Sequence, residues 1–134
     1  MNVRPAAPDD LPVLTKYDRH ISPQELENCV RLGRVYAAEE QGQFIGWLRY
    51  GLFWDNTPFM NLLYVLDGHR DRGFGRLLVE YWEAQMKRAG YEAVMTSTQS
   101  DEYAQHFYNH LGYAAVGGFL LPGEAYELIL AKKL

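Results

Sequence analysis

Three arginines and two glycines crowd into HRDRGFGRLL, residues 69–78, just ahead of an apolar pattern with helical spacing. A helix N-terminus carries about half a positive charge, so stability alone would place Asp or Glu in its first turn, each contributing roughly 0.3–1 kcal/mol. Arg70, Arg72 and Arg76 invert that order, and Asp71 offsets only one of them. A bound anion resolves the conflict. Gly73 and Gly75 remove side chains where the backbone must bend and approach a ligand, leaving consecutive N–H groups to hold a phosphate. The plain alternative is a tight loop with solvated arginines, because short glycine patterns are common. A nicotinamide-dinucleotide loop fits poorly: it wants three glycines and an acid roughly 20 residues further on. Here Phe74 separates only two glycines, and the next apolar run ends in Thr96, Ser97 and Thr98.

The rest of the chain must position that loop. Its 134 residues suit one domain, 1–134, with a single sizeable core. A net charge of -4 argues against a nucleic-acid partner, which is met with lysine and arginine. Any anion is therefore met locally. One cysteine, Cys29, excludes an internal disulfide, and MNVRPAAPDD lacks the apolar core of a signal peptide. No apolar run reaches the roughly 18 residues that cross a bilayer. These features predict a cytoplasmic protein that does not enter membranes.

Val3-Arg4 reads as a short strand, followed by a helix capped by Asp9 or Asp10, with Pro12 in its first turn, running to about Arg19. Ser22-Pro23-Gln24-Glu25 starts a second helix with serine at the N-cap, proline at N1 and Glu25 completing a capping box, and Gly33 stops it. RVYAAEE and QFIGWLRYGLF flank Gln41-Gly42 as a hairpin. After the turn WDNTP, the run FMNLLYVL is apolar enough for a strand covered on both faces. From Phe74 a helix follows the apolar positions Leu77, Leu78, Tyr81, Ala84 or Gln85, and Ala89, ending at Lys87-Arg88 and Gly90. YEAVMTST is the next strand, parallel to the one before the helix. Ser100 or Asp101 caps a helix with Ala104, Phe107, Tyr108 and Leu111 on one face, and two strands around Pro122-Gly123 close the chain.

Three pieces in register resemble the GNAT superfamily of N-acetyltransferases: VRPAAPDDLPVL its opening strand and helix, LLYVLDGHRDRGFGRLL its acetyl-CoA motif, and DEYAQHFYNHLGYAAVG its closing helix and strand. The resemblance covers nearly the whole chain. It implies an α/β (α+β) GNAT fold, with a mixed, mostly antiparallel sheet of six to seven strands, about four helices, and a parallel strand pair splayed around the acetyl-CoA site. It further implies that the backbone of Leu63-Tyr64-Val65 pairs with the pantetheine arm, and that one of its N–H groups polarises the thioester carbonyl. The pyrophosphate would then lie on Asp71-Arg72-Gly73-Phe74-Gly75-Arg76, with Arg70 at the family's Arg or Gln position. Tyr108, in FYNHLGY, matches the usual general acid, and a phenol near pKa about 10 is a proton donor to a thiolate of comparable basicity. Tyr108 also lies on the apolar face, which suits a core aromatic.

The implied reaction moves acetyl from acetyl-CoA to a primary amine of a small molecule or peptide in a ternary complex. An acyl-CoA-binding sensor or complex subunit without catalysis is the other reading, because no carboxylate stands in FMNLLYV or VMTSTQ where family members often carry a base. Water relayed by Asn61, Thr96 or Ser97, or a loop group such as Asp55, would have to serve. Asp101 replaces the asparagine common at the start of the last helix, which alters a contact to the cofactor arm. WDNTPFMN reads either as an acceptor wall built on Trp54, Asp55, Phe59 and Met60 or as a packed turn. His106 and His110 have metal-compatible spacing without a third ligand, so no metal is expected. His20 and His69 are loop histidines, the latter near the phosphate loop, and Cys29 reads as a small buried hydrophobe. The terminal strands and abundant aromatics permit a homodimer.

Overall fold

The computed structural model describes residues 2–134. In chain order it holds β1 (Asn2–Pro5), a 3-10 turn (Pro8–Asp10), α1 (Leu11–Tyr17), α2 (Pro23–Arg31), β2 (Val35–Glu40), β3 (Gln43–Phe53), β4 (Thr57–Val65), α3 (Phe74–Arg88), β5 (Ala93–Gln99), α4 (Ala104–His110), β6 (Ala114–Phe119) and β7 (Glu127–Lys133). One seven-stranded sheet has the order β1-β2-β3-β4-β5-β7-β6. The β1–β2, β2–β3, β5–β7 and β6–β7 pairs are antiparallel, and β4–β5 is parallel. This is the mixed, mostly antiparallel sheet that the GNAT resemblance implies. The parallel register is short, joining Phe59 to Met95 and Met60 to Thr96.

Two compact units make up the chain. The first runs to Gly51 and resumes over Leu62–Trp82, and the second comprises Leu52–Asn61 and Glu83–Leu134. In the first, Leu14 of α1, Leu26 and Val30 of α2, and Val35 and Trp47 of the hairpin form a buried cluster with Ala6. Ser22 Oγ caps α2 by accepting from the Glu25 N–H at 3.2 Å. Gln41 and Gly42, with φ of 53° and 76°, make the left-handed pair that a two-residue hairpin turn requires.

α1 is two residues shorter than predicted, for a physical reason. Asp18 leaves helical geometry at φ -87°, ψ 95° and turns its carboxylate into the interior. There it accepts from Arg49 Nε at 2.9 Å and from Trp47 Nε1 at 3.1 Å. Asp10 likewise does not cap α1 with its side chain; it pairs with Arg4 at 2.7 Å and accepts from the Ala7 N–H. Arg4 also binds Glu39, so β1, β2 and the 3-10 turn are joined by charge.

The buried face of α3 is Phe74, Leu78, Val79, Trp82 and Met86. Phe74 and Leu78 belong to the face that the sequence pattern predicts, whereas Leu77, Tyr81 and Gln85 are half-buried and Ala84 and Ala89 exposed, so the remainder of the face is rotated from the pattern by about one position. Trp82 decides the rotation, because burying so large a ring contributes more than burying Ala84, which stays exposed. In the second unit, α4 begins at Ala104 with Tyr103 at the N-cap and no side-chain cap bond. Contrary to expectation, neither Ser100 nor Asp101 caps it; Ser100 instead donates its N–H to the Tyr126 carbonyl at 2.7 Å.

Candidate active site

In the first unit, β4 runs out through Leu63, Tyr64 and Val65 into the arginine-glycine loop. Asp71 and Gly73 take left-handed φ values of 60° and 88°, which reverse the chain ahead of α3. Gly73 is the residue that needs glycine's freedom, whereas Gly75 lies inside the first helical turn. Leu77 donates the first helical hydrogen bond, to Gly73 O at 3.0 Å. The N–H groups of Phe74, Gly75 and Arg76 thus stand ahead of the helix's own ladder, where an anion is favoured. Phe74 anchors this start with its ring almost wholly buried.

Each arginine of the loop has a carboxylate, which revises the expectation that only Asp71 offsets them. Arg72 makes a forked contact to Glu40 at 3.1 and 2.7 Å, Arg76 pairs with Glu80, and Arg70 reaches Asp67 at 3.4 Å. Arg70 also donates to the Val65 carbonyl at 2.9 Å and lies 4.9 Å over the Tyr64 ring, so it braces the end of β4. Exposed pairs such as Arg72–Glu40 are worth roughly 0.2–1 kcal/mol. A phosphate forming charge-assisted bonds of roughly 1.5–3 kcal/mol can displace them. His69 lies beside this cluster, its Nδ1 buried without a hydrogen-bond partner and 3.9 Å from Glu40.

In the second unit, Tyr108 is buried on α4, edge-on to Phe107 and Tyr113 at 5.1 and 5.7 Å. Burial pushes its phenol up to about 12, against a hydrogen bond to Thr96 that acts the other way; the charge of Glu102 adds to the rise. Tyr108 therefore keeps its proton at neutral pH. Thr96 Oγ1 also donates to the Met60 carbonyl at 3.0 Å, across the parallel pair. Tyr113 donates to Glu83 at 2.7 Å, and Lys132 meets the same carboxylate at 2.9 Å.

Burial likewise raises Tyr113 and Tyr36 above the usual phenol range. The folded chain then holds protons that the unfolded chain releases above pH about 10, so stability is complete below that value and falls as pH rises through about 12. Tyr36, Tyr108 and Tyr113 are expected to ionise only together with unfolding, in an absorbance titration followed alongside circular dichroism. Ionisation of all ten near pH about 10 with the fold intact would contradict this.

The model of the Acetyltransferase (GNAT) family matches residues 5–113, a span that contains the loop, α3 and Tyr108. The chain belongs to this family. Solved structures agree on the GNAT fold. A ribosomal-protein-alanine N-acetyltransferase from Brucella melitensis aligns at TM-score 0.85 and 21% identity over 100% of both chains. A GNAT-family acetyltransferase from Bacillus cereus aligns at 0.80 and 25% identity, covering 98% of this chain and 96% of that one. N-acetylglutamate synthase from Neisseria gonorrhoeae, in complex with coenzyme A and N-acetyl-glutamate, aligns at 0.84 and 18% identity over 99% of this chain and 35% of its own. No curated protein matches the sequence.

The GNAT domain revises several candidates. Met60, expected in an acceptor wall, is buried at 2% exposure, whereas Trp54 is 79% exposed, its ring tilted against Phe53 at 4.8 Å. Thr96, named as a water relay, is buried with its hydroxyl engaged by Met60 and Tyr108. Asp101 is exposed in the turn before α4. Among the described residues, no group of three or more His, Cys, Asp and Glu is placed to hold a metal, and no helix is long and apolar enough to cross a membrane.

Two contributors escaped the sequence reading. Glu40 ties the loop to the hairpin, and its only local signal was an acid beside a turn. Gly46 lies in β3 directly against β4: a Cβ there would stand 2.7 Å from Tyr64 O and 3.3 Å from Val65 Cα. A glycine inside a strand was the available sign of that close approach. Gly46→Ala is expected to push the Tyr64-Val65 peptide aside, costing about 1–3 kcal/mol in a urea melt and weakening coenzyme A binding by calorimetry. Unchanged affinity would remove Gly46 from the account of the site.

Proposed function

We propose that this GNAT domain transfers acetyl from acetyl-CoA to a primary amine by direct attack, with both substrates bound together. Leu63, Tyr64 and Val65 offer main-chain groups to the pantetheine arm. Arg70, Asp71, Arg72, Gly73, Phe74, Gly75 and Arg76 receive the pyrophosphate, and Asp101 takes the family position whose asparagine contacts the arm. Acetyl-CoA supplies an activated acyl group on a leaving thiolate. Tyr108 gives that sulfur its proton. The observation that carries the reading is a buried phenol kept protonated, in a chain whose phosphate-type loop opens α3 within the matched GNAT span.

A proton held at about 12 is not given readily to a thiolate whose conjugate acid lies near about 8.5. The transfer is favourable only if the amine nitrogen, acidified once it bonds to the acyl carbon, returns a proton to the phenolate. Direct attack supplies such a nitrogen. A non-catalytic acyl-CoA-binding module is favoured by one feature: neither β4 nor β5 contains a carboxylate. Thiol release from acetyl-CoA across a panel of primary amines separates the two. Amine-dependent release is expected, whereas calorimetric binding of acetyl-CoA without release would support the module.

A further inference from the structure

We propose that Glu102 holds the acceptor's ammonium group and takes its proton, seated by Thr98 on the same face of β5 as the Thr96 that contacts Tyr108. This rests on the acetyl-transfer reading above and adds the missing proton acceptor together with a class of substrate, cationic primary amines. β5 buries Val94, Thr96 and Thr98 in alternation, so the two threonines share one face. Thr96 serves Tyr108. Thr98, 4% exposed, donates to Glu102 Oε2 at 3.3 Å. The Glu102 N–H is held by the Gln99 carbonyl at 3.0 Å, and Gln105 Nε2 reaches the Glu102 carbonyl at 3.4 Å. The turn that carries the carboxylate is therefore tied down at both ends.

Two other acids of this unit are already engaged. Glu83 is taken by Tyr113 and Lys132, and Glu124 by Gln99 Nε2 at 3.1 Å. Glu102 has no ion pair among the described residues, and the sequence holds no lysine or arginine between Arg88 and Lys132 to supply one. A carboxylate fixed by a buried hydroxyl, exposed to solvent and lacking a cation, is a seat for an ammonium. Its charge also reaches the phenol, contributing to the raised pKa of Tyr108.

The step balances. The acceptor ammonium gives one proton to Glu102, and the freed amine attacks the thioester carbonyl. The N–C bond forms and the C–S bond breaks; the sulfur takes the phenolic proton of Tyr108, and the second nitrogen proton returns to the phenolate. Glu102 then releases its proton to water, so an ammonium and a thioester become an amide, a thiol and one proton.

The test is steady-state kinetics with acetyl-CoA and a panel of butylamine, spermidine, an alanyl peptide and hydroxylamine, whose weakly basic nitrogen needs little help to become neutral. Glu102→Gln is expected to lower kcat/KM about 10²–10⁴-fold with the alkylamines accepted by the unsubstituted protein, and at least about tenfold less severely with hydroxylamine. Its thermal shift on adding coenzyme A should match the parent's. Glu124→Gln, which removes the same charge from the same stretch, is expected to stay within about threefold. Glu102→Gln within about threefold on every accepted amine would overturn the proposal. So would an equal loss in Glu124→Gln, an equal loss with hydroxylamine, or a lost coenzyme A shift. Acetylation of no amine by the parent would instead overturn the acetyl-transfer reading, and this proposal with it.

Discussion

Tyr108→Phe is expected to reduce acetyl transfer by about 10²–10⁴-fold while leaving the coenzyme A thermal shift in place. The substitution deletes one oxygen from a side chain that is 7% exposed and leaves the ring contacts with Phe107 and Tyr113 intact. The apolar packing that fixes α4 therefore survives. What disappears is the proton for the departing sulfur and a partner for Thr96, which keeps its bond to the Met60 carbonyl. The defect should lie in kcat under conditions where chemistry limits the rate, with little change in the apparent affinity for acetyl-CoA. Equal turnover in the two proteins would reduce Tyr108 to a core aromatic.

Asp18→Asn is expected to cost about 3–5 kcal/mol, read as a lower urea midpoint with an unchanged slope, or roughly 10–20 °C in Tm. The carboxylate is fully buried and its partner Arg49 nearly so, with side-chain exposures of 0% and 7%. Neutralising Asp18 leaves a guanidinium in the interior with no counter-charge, and it weakens the bonds to Trp47 Nε1 and the His20 N–H. The double variant Asp18→Asn, Arg49→Met should recover much of the loss, because the penalty comes from an unpaired charge more than from a missing attraction. A single-variant loss below about 1 kcal/mol would mean that water reaches this pair.

Asp18 also illustrates what local sequence conveys. The second helix was legible because Ser22, Pro23 and Glu25 act within one turn, and the hairpin because Gln41-Gly42 supplies its own left-handed φ values. The loop before α3 was legible from the spacing of its arginines and glycines. The end of α1 was not, since Asp18 answers to Trp47 and Arg49, some thirty positions away. Long-range partners likewise account for Glu40 under Arg72 and for Gly46 against Tyr64. The face of α3 was legible only at Phe74 and Leu78, because a helical period tolerates rotation by one position until a large ring such as Trp82 settles it. Tyr108 was chosen for its place in a familiar pattern, and its burial was legible from the apolar face of α4; the raised pKa became visible only once its surroundings, Thr96 and Glu102 among them, were in place.

The measurement closest to the central claim follows the acetyl group itself. Acetyl-CoA carrying a deuterated acetyl group is incubated with the protein and the amine panel, and the products are weighed by mass spectrometry. Transfer of the whole labelled acetyl to an amine nitrogen, with one free thiol released per amide formed, is the expected result. Label that stays on the thioester, or that appears only as acetate, would contradict acetyl transfer by this GNAT domain.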